Sequence, residues 1–454
     1  MPDPRRPVDP RQILLERAIA RTLKQRPISR RHFLHGTLLA GTAATLAACG
    51  IPAASPTSMP ATTPGATPGA TPGATPTAGA TAGPTPEATP TEAPTPGATP
   101  AGQLNFANWP LYIDADDPAE SPTLAQFQQD TGIAVSYVEA IEDNETFFGT
   151  IQPVLAAGQD SGWDLMVLTD WLIGKMAALD YLEQIDVNSQ LPNFVANAAE
   201  KYKNPTYDPN NAHSVPWQSG ITGIAYNPAL VDEEITSLRQ LLDPATAQKY
   251  SGRIGMLSEM RDTMNLALLY LGVQPANATV ADAESARDAL LAQGPLVRRY
   301  YGNGYARAFA EGSLAITMAW SGDIFQLQFD NPDLQFVVPE EGAILWVDNM
   351  CIPRAAQHPV DATVMMDYVY QPEVAATIAA YVNYICPVPA AQDIIRRHAD
   401  EAEDAEDAEY LRSVADSPLV FPTEDMLSRL HSYRVLDEQE EQRWNELFQE
   451  VITG

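Results

Sequence analysis

From Leu104 onward the chain alternates between two hydrophobic periods. Leu104 and Phe106 alternate with polar neighbours, which predicts a first strand. Ser121 as N-cap and Pro122 at the first helical position then open a helix that turns Leu124 and Phe127 inward and closes at Gly132. Ile133, Val135 and Tyr137 predict a second strand. A helix capped by Asn144 follows, carrying Phe147, Phe148, Ile151 and Leu155 to Gly158, and the apolar run Trp163 to Leu168 predicts a strand buried on both faces. The order β-α-β-α-β predicts an α/β fold with a parallel, helix-covered sheet and functional residues at the carboxyl ends of its strands. Two tight segments, Pro216-Trp217-Gln218-Ser219-Gly220 and Glu340-Glu341-Gly342-Ala343, read as crossings between two lobes with a cleft between them.

The first hundred residues follow neither period. Ser29-Arg30-Arg31-His32-Phe33-Leu34 has the form of a twin-arginine export signature, and an uncharged run from Gly36 leads to the lipobox Leu46-Ala47-Ala48-Cys49. That run is too short to span a bilayer, so residues 1–48 read as a lipoprotein signal peptide and Cys49 as the lipidated first residue of the exported chain. Twin-arginine export carries folded proteins, so the globular part is expected to fold in the cytosol and act outside the membrane. Residues 49–103 are an Ala/Thr/Pro/Gly linker whose only charges are Glu87 and Glu92, a composition that cannot build a core. At roughly 5 Å times the square root of its length such a leash reaches on the order of 40 Å.

Charge narrows the choice of partner. The whole chain carries −31; residues 1–48 hold nine Lys/Arg and three Asp/Glu, leaving 18 basic and 55 acidic residues, or −37, beyond them. This balance argues against nucleic acid or an anionic substrate and favours a cation, although part of it sits in plain runs such as Asp400 to Glu409 that read as a solvated face. Cys49 being committed to lipid, Cys351 and Cys386 remain, and the sequence leaves their pairing open. His213, His358, His398 and His431 stand more than thirty residues apart, without a CxxC or HExxH, so neither a metal site nor a cofactor is expected.

Aromatic and acidic residues recur together at predicted strand ends and turns: Trp109, Tyr112, Trp171, Glu259, Asp262, Trp320, Asp323, Trp346, Asp348 and Tyr384. Trp320-Ser321-Gly322-Asp323 and Trp346-Val347-Asp348 each set a carboxylate just after an indole that ends an apolar run. An ammonium desolvated in a cleft needs a carboxylate, gains about 0.5 to 2 kcal/mol from an aromatic face, and leaves its alkyl chain to pack on indole rings. The pattern suits a slim, multiply charged organic cation.

Asn108-Trp109-Pro110-Leu111-Tyr112, Asn144-Glu145-Thr146, Trp163-Asp164-Leu165-Met166-Val167, Ser214-Val215-Pro216-Trp217, Trp320-Ser321-Gly322-Asp323 and Glu341-Gly342-Ala343 leading to Trp346-Val347-Asp348 occur in order. From about Leu104 to the C-terminus this series resembles the spermidine/putrescine-binding proteins of bacterial ABC importers. The resemblance implies a two-lobed periplasmic-binding fold of the second type that closes on ligand by a hinge. It divides the chain into 104–218 with about 345–400 as one lobe, 219–344 as the other, and C-terminal helices 401–454 packing across both. It implies no catalysis and no cofactor: a monomeric receptor, lipid-anchored at the outer face of the cytoplasmic membrane or in the periplasm, would hand a polyamine to permease and ATPase subunits. Carried over by position, Trp109, Tyr112 and Trp171 line the cleft from the first lobe, with Thr169 in place of a family serine. Glu259 and Asp262 match an acidic pair gripping one amino group. Trp320, Trp346 and Tyr384 sandwich the methylene chain, Asp348 holds an ammonium, and Asp323 matches the acid of putrescine-type members.

Departures stand beside these matches. Pro110 and Leu111 replace a hydroxyl and an acid, Gly302 a serine and Leu436 a glutamine, which leaves chain length and amine identity open. Other ligands and classes compete with this reading. A receptor for another small cation or amino compound is the nearest; a ferric-iron receptor would use Tyr300-Tyr301, but no His or Glu partner can be placed beside them. An anchored hydrolase needs an activated nucleophile, and no GxSxG occurs.

Overall fold

The computed structural model describes residues 99–454; residues 1–48, read above as a signal peptide, Cys49 and nearly all of the segment read as a linker lie outside the described residues. Strand β1 (Gln103–Asn108) leads to helix α1 (Pro122–Thr131), where the Ser121 hydroxyl accepts from the Leu124 amide, Pro122 begins the helix, and Gly132 ends it with φ 77°. Next come β2 (Ala134–Glu139), α2 (Asn144–Ala156), β3 (Leu165–Thr169) and α3 (Asp170–Ala178). The cap of α2 is Asp143, not Asn144, because the Asp143 side chain takes the Thr146 amide; the Asn144 side chain is drawn to Thr169 instead.

The chain then leaves on the long strand β4 (Ser214–Tyr226). It builds β5 (Ile254–Leu257), α4 (Met260–Tyr270), β6 (Val297–Tyr301), β7 (Ile316–Trp320), α5 (Ser321–Asp330) and β8 (Gln335–Val337). It returns on β9 (Ala343–Cys351) and closes with α6 (Pro372–Val382), α7 (Ala405–Asp416), β10 (Leu430–His431) and α8 (Glu438–Thr453).

The strands join in the order β2-β1-β3-β9-β4-β7-β5-β6, with β8 on β4 and β10 on β9. The expectation of a parallel sheet needs correction. β1 is parallel to β2 and β3, and β5 to β6 and β7, but β4 and β9 run antiparallel to each other, β3 is antiparallel to β9, and β7 to β4. The cause is the route of the chain: it goes out on one strand and comes back on its neighbour. Pro216 to Gly220 lies inside β4, where the register on β9 slips at Trp217.

Three large buried clusters flank this sheet, and a smaller one is formed by Ile221, Val338, Ala343 and Ile385. Phe106, Leu165, Val167, Val215, Trp217 and Met350 form one, and Met166, Leu168 and Cys351, next to them along the same strands, form the second on the opposite face together with Trp171 of α3. Ile224, Ile254, Met256, Met318 and Ile344 build the third, sealed by Trp444, Leu447 and Phe448 of α8. Two lobes follow, with the halves of β4 and β9 divided between them. Cys351 and Cys386 are both buried and free, and burial pushes both thiols up, so each serves as an apolar filler. Leu436 is buried in the third cluster. Tyr300 packs against Phe448 at 6.3 Å, and among the described residues no group of His, Cys, Asp or Glu could hold a metal ion. No described helix is long and apolar enough to cross a membrane.

Candidate functional site

Strand register sets the centre of the site. β3 and β9 align Thr169 with Asp348, and the Thr169 hydroxyl donates to Asp348 Oδ1 at 2.7 Å. Asn144 fixes that threonine from both sides, its amide donating to the hydroxyl at 2.8 Å and its oxygen accepting the Thr169 N–H at 3.2 Å. Tyr112, in the turn after β1, donates to Asp348 Oδ2 at 3.0 Å. Burial pushes the Asp348 carboxyl up to about 6, against the pull of these two hydroxyls.

The other lobe presents three more carboxylates, Asp262, Asp323 and Glu259. β4 and β7 align Thr222 with Trp320, and both reach Asp262 in the first turn of α4: the Thr222 hydroxyl at 2.6 Å and the Trp320 indole N–H at 3.2 Å, with Tyr433 donating as well. Asp323, in the first turn of α5, accepts from Tyr305 at 2.9 Å and Tyr384 at 3.0 Å. Burial raises Asp262, and burial with the charges of Glu145 and Asp262 raises Glu259 to about 8. None of Asp348, Asp262 and Glu259 is ion-paired to a lysine or arginine among the described residues. Behind them Asp170 is likewise raised to about 8 by burial, with Asp348 adding to the shift.

Rings close the space between the acids. Tyr384 stands 5.3 Å from Trp346 and edge-on to Tyr112 at 5.8 Å, while Trp320 meets Tyr305 edge-on at 5.6 Å. Two glycines make room for them: a Cβ on Gly220 would lie 2.2 Å from the Trp346 ring, and one on Gly322 would lie 2.7 Å from that of Tyr384. Trp109 anchors its indole N–H on the Val167 carbonyl at 3.0 Å.

All eleven residues singled out in the sequence, Trp109, Tyr112, Thr169, Trp171, Glu259, Asp262, Trp320, Asp323, Trp346, Asp348 and Tyr384, line a single cavity of about 1460 Å³. Pro110 and Leu111 line it too, and it continues between α5, α6 and α7 past Phe329, Tyr410, Glu406 and Glu409. Glu406 and Glu409 are themselves exposed, as expected for a solvated face. Trp171 differs from the rest, for the Arg261 guanidinium lies over its ring at 4.1 Å. Sequence reasoning missed Arg261, Tyr433, Tyr305 and Asp170. Arg261 stands between Glu259 and Asp262, where a cation beside two predicted cation-binding acids was the available signal; Tyr433 sits in a segment without periodicity and offered none.

Residues 123–409 match the model of a family described as bacterial extracellular solute-binding protein. The chain belongs to that family. Among its relatives, this solute-binding protein is 29% identical over 293 residues to the spermidine/putrescine-binding periplasmic protein of Escherichia coli, covering 64% of the chain and 79% of the relative. It is 27% identical over 350 residues to the putrescine-binding periplasmic protein PotF of the same organism, covering 74% and 87%. A spermidine/putrescine ABC transporter protein from Listeria monocytogenes superposes with a TM-score of 0.64 at 27% identity, covering 77% of this chain and 99% of its own. The fold is therefore the two-lobed α/β architecture of these binding proteins, and the family consists of receptors, not enzymes.

Proposed function

We propose that this solute-binding protein captures a polyamine, putrescine or spermidine, outside the cytoplasm and delivers it as a monomer to the permease and ATPase of an ABC transporter. The lipid on Cys49 and the linker hold it at the outer face of the membrane, and the two lobes, 104–218 with about 345–400 and 219–344, close on the ligand. The observation that carries the reading is Asp348. It is 6% exposed, held by two neutral hydroxyls, unpaired with any described lysine or arginine, and flanked by the Trp346–Tyr384 pair. Such a carboxylate is costly to bury alone and is offset by an ammonium arriving with its alkyl chain along the rings.

The relatives named for spermidine and putrescine support the same ligand class. A ligand bearing a carboxylate suits the cavity less, because Arg261 is paired with Glu441 at 3.3 Å and Arg307 with Glu311 at 2.8 Å. Calorimetric titration of the full chain with putrescine, spermidine and spermine at moderate salt tests the reading: micromolar or tighter binding to at least one is expected. No heat with any of the three overturns it.

A further inference from the structure

Where α3 of the first lobe meets α4 and α8 of the second, four side chains form a cluster that no ligand is needed to complete. Glu441, 6% exposed, lies in the first turn of α8, on the face that continues through Trp444, Leu447, Phe448 and Val451 into the third buried cluster. One of its oxygens meets Lys175 Nζ on α3 at 2.9 Å, and the other meets Arg261 on α4 at 3.3 Å. Arg261 spreads its guanidinium over Trp171, one turn of α3 before Lys175, at 4.1 Å.

These contacts divide by lobe. Arg261 and Glu441 both rise from elements of the second lobe, so their pairing survives any separation of the lobes and no buried charge is left uncompensated. Lys175–Glu441 and Arg261–Trp171 cross from one lobe to the other and must break when the cleft opens. Lys175 is suited to letting go, its side chain being 28% exposed and able to rehydrate at small cost. Both crossing contacts lie beside the cavity, since Trp171 and Arg261 line it.

We infer that Lys175, Arg261 and Glu441 are positioning residues: together with Trp171 they form a clasp that biases the lobes toward the closed arrangement before ligand arrives. Apparent affinity depends on the fraction of molecules already closed, so the clasp strengthens every ligand by a common factor and does not set the ranking among them. This rests on the reading of the protein as a receptor that closes on its ligand. The clasp also gives α8 a role beyond covering a core, because the residue joining both lobes is supplied by the last helix of the chain.

The test compares full-length wild type, Lys175→Met and Lys175→Arg by small-angle scattering without ligand and by calorimetry with putrescine and with spermidine. Lys175→Met removes the Glu441 partner together with the ammonium that lies over the Phe148 ring at 5.0 Å, and leaves the Arg261–Glu441 pair intact; a melting curve checks that it is folded. Its expected ligand-free radius of gyration is larger than that of wild type, its Kd for both amines rises by the same factor of about three to ten, and Lys175→Arg restores both. An unchanged radius with unchanged affinities overturns the proposal, as does a loss confined to one amine, which would make Lys175 a ligand contact. If wild type binds neither amine, the polyamine reading fails while the ligand-free radii still decide the clasp.

Discussion

A carboxylate held only by hydroxyls is a good receptor for a cation and a poor stabiliser of an empty fold. Replacing Asp348 with Asn keeps the contacts of Thr169 and Tyr112 and removes the charge, so polyamine affinity is expected to fall more than about a hundredfold, measured by calorimetry. Gly322→Ala acts by shape: the new methyl would strike the Tyr384 ring, displace its hydroxyl from Asp323, and is expected to weaken binding about tenfold while the melting temperature changes little. Titration gives a third handle. Asp348 is raised to about 6, and Asp170 and Glu259 to about 8, from unfolded values near 4. The folded, empty protein therefore holds more protons than the unfolded chain between about pH 4 and 8, and these groups make its stability fall as pH rises through that window. A bound cation favours the ionised carboxylates, so binding at neutral pH should release protons and weaken as pH falls. Calorimetry in buffers of different ionisation enthalpy measures the release; zero release would contradict the arrangement described here.

At the scale of elements, local signals and long-range pairing contributed differently to what the sequence disclosed. Strands β1 and β3 and helix α1 were legible because alternation, a continuous apolar run, and the Ser121, Pro122 and Gly132 signals are all local. The cap of α2 was misplaced by one residue because Asp143 and Asn144 are both good caps, and only the demand of Thr169, distant in sequence, decides between them. The antiparallel pairing of β4 with β9 was not legible, since it depends on where the chain returns more than a hundred residues later. Recurrence of indole and carboxylate, with the family resemblance for Thr169, picked out residues that line one cavity; Arg261 and Tyr433 escaped because their contacts with Glu441, Trp171 and Asp262 are encoded by no spacing. One element carries its own prediction. Asp437 caps α8 through the amides of Gln439 and Glu440, and Asp437→Ala is expected to cost about 1 kcal/mol in denaturant unfolding.

For the whole molecule, export and closure make separate demands. Cys49→Ala should release the exported protein from the membrane fraction without altering its affinity for amines; retention there would contradict the anchor. Closure should shrink the radius of gyration at saturating polyamine, most in Lys175→Met, whose ligand-free form is expected to be the more open, and an unchanged value in that variant would count against a hinge. Cys351 and Cys386 remain free in the folded chain, so neither folding nor ligand capture is expected to respond to reductant. The partners Ser214↔Cys351 through Thr222↔Ile344 make β4 and β9 a ladder interrupted only near Trp217. Like the spine of a book, such a ribbon bends and twists but does not stretch, because lengthening it would break several backbone hydrogen bonds at once. Opening of the halves is thereby expected to be a bend and a twist without separation, and two distances measured across the covers, one sensitive to each motion, would follow it.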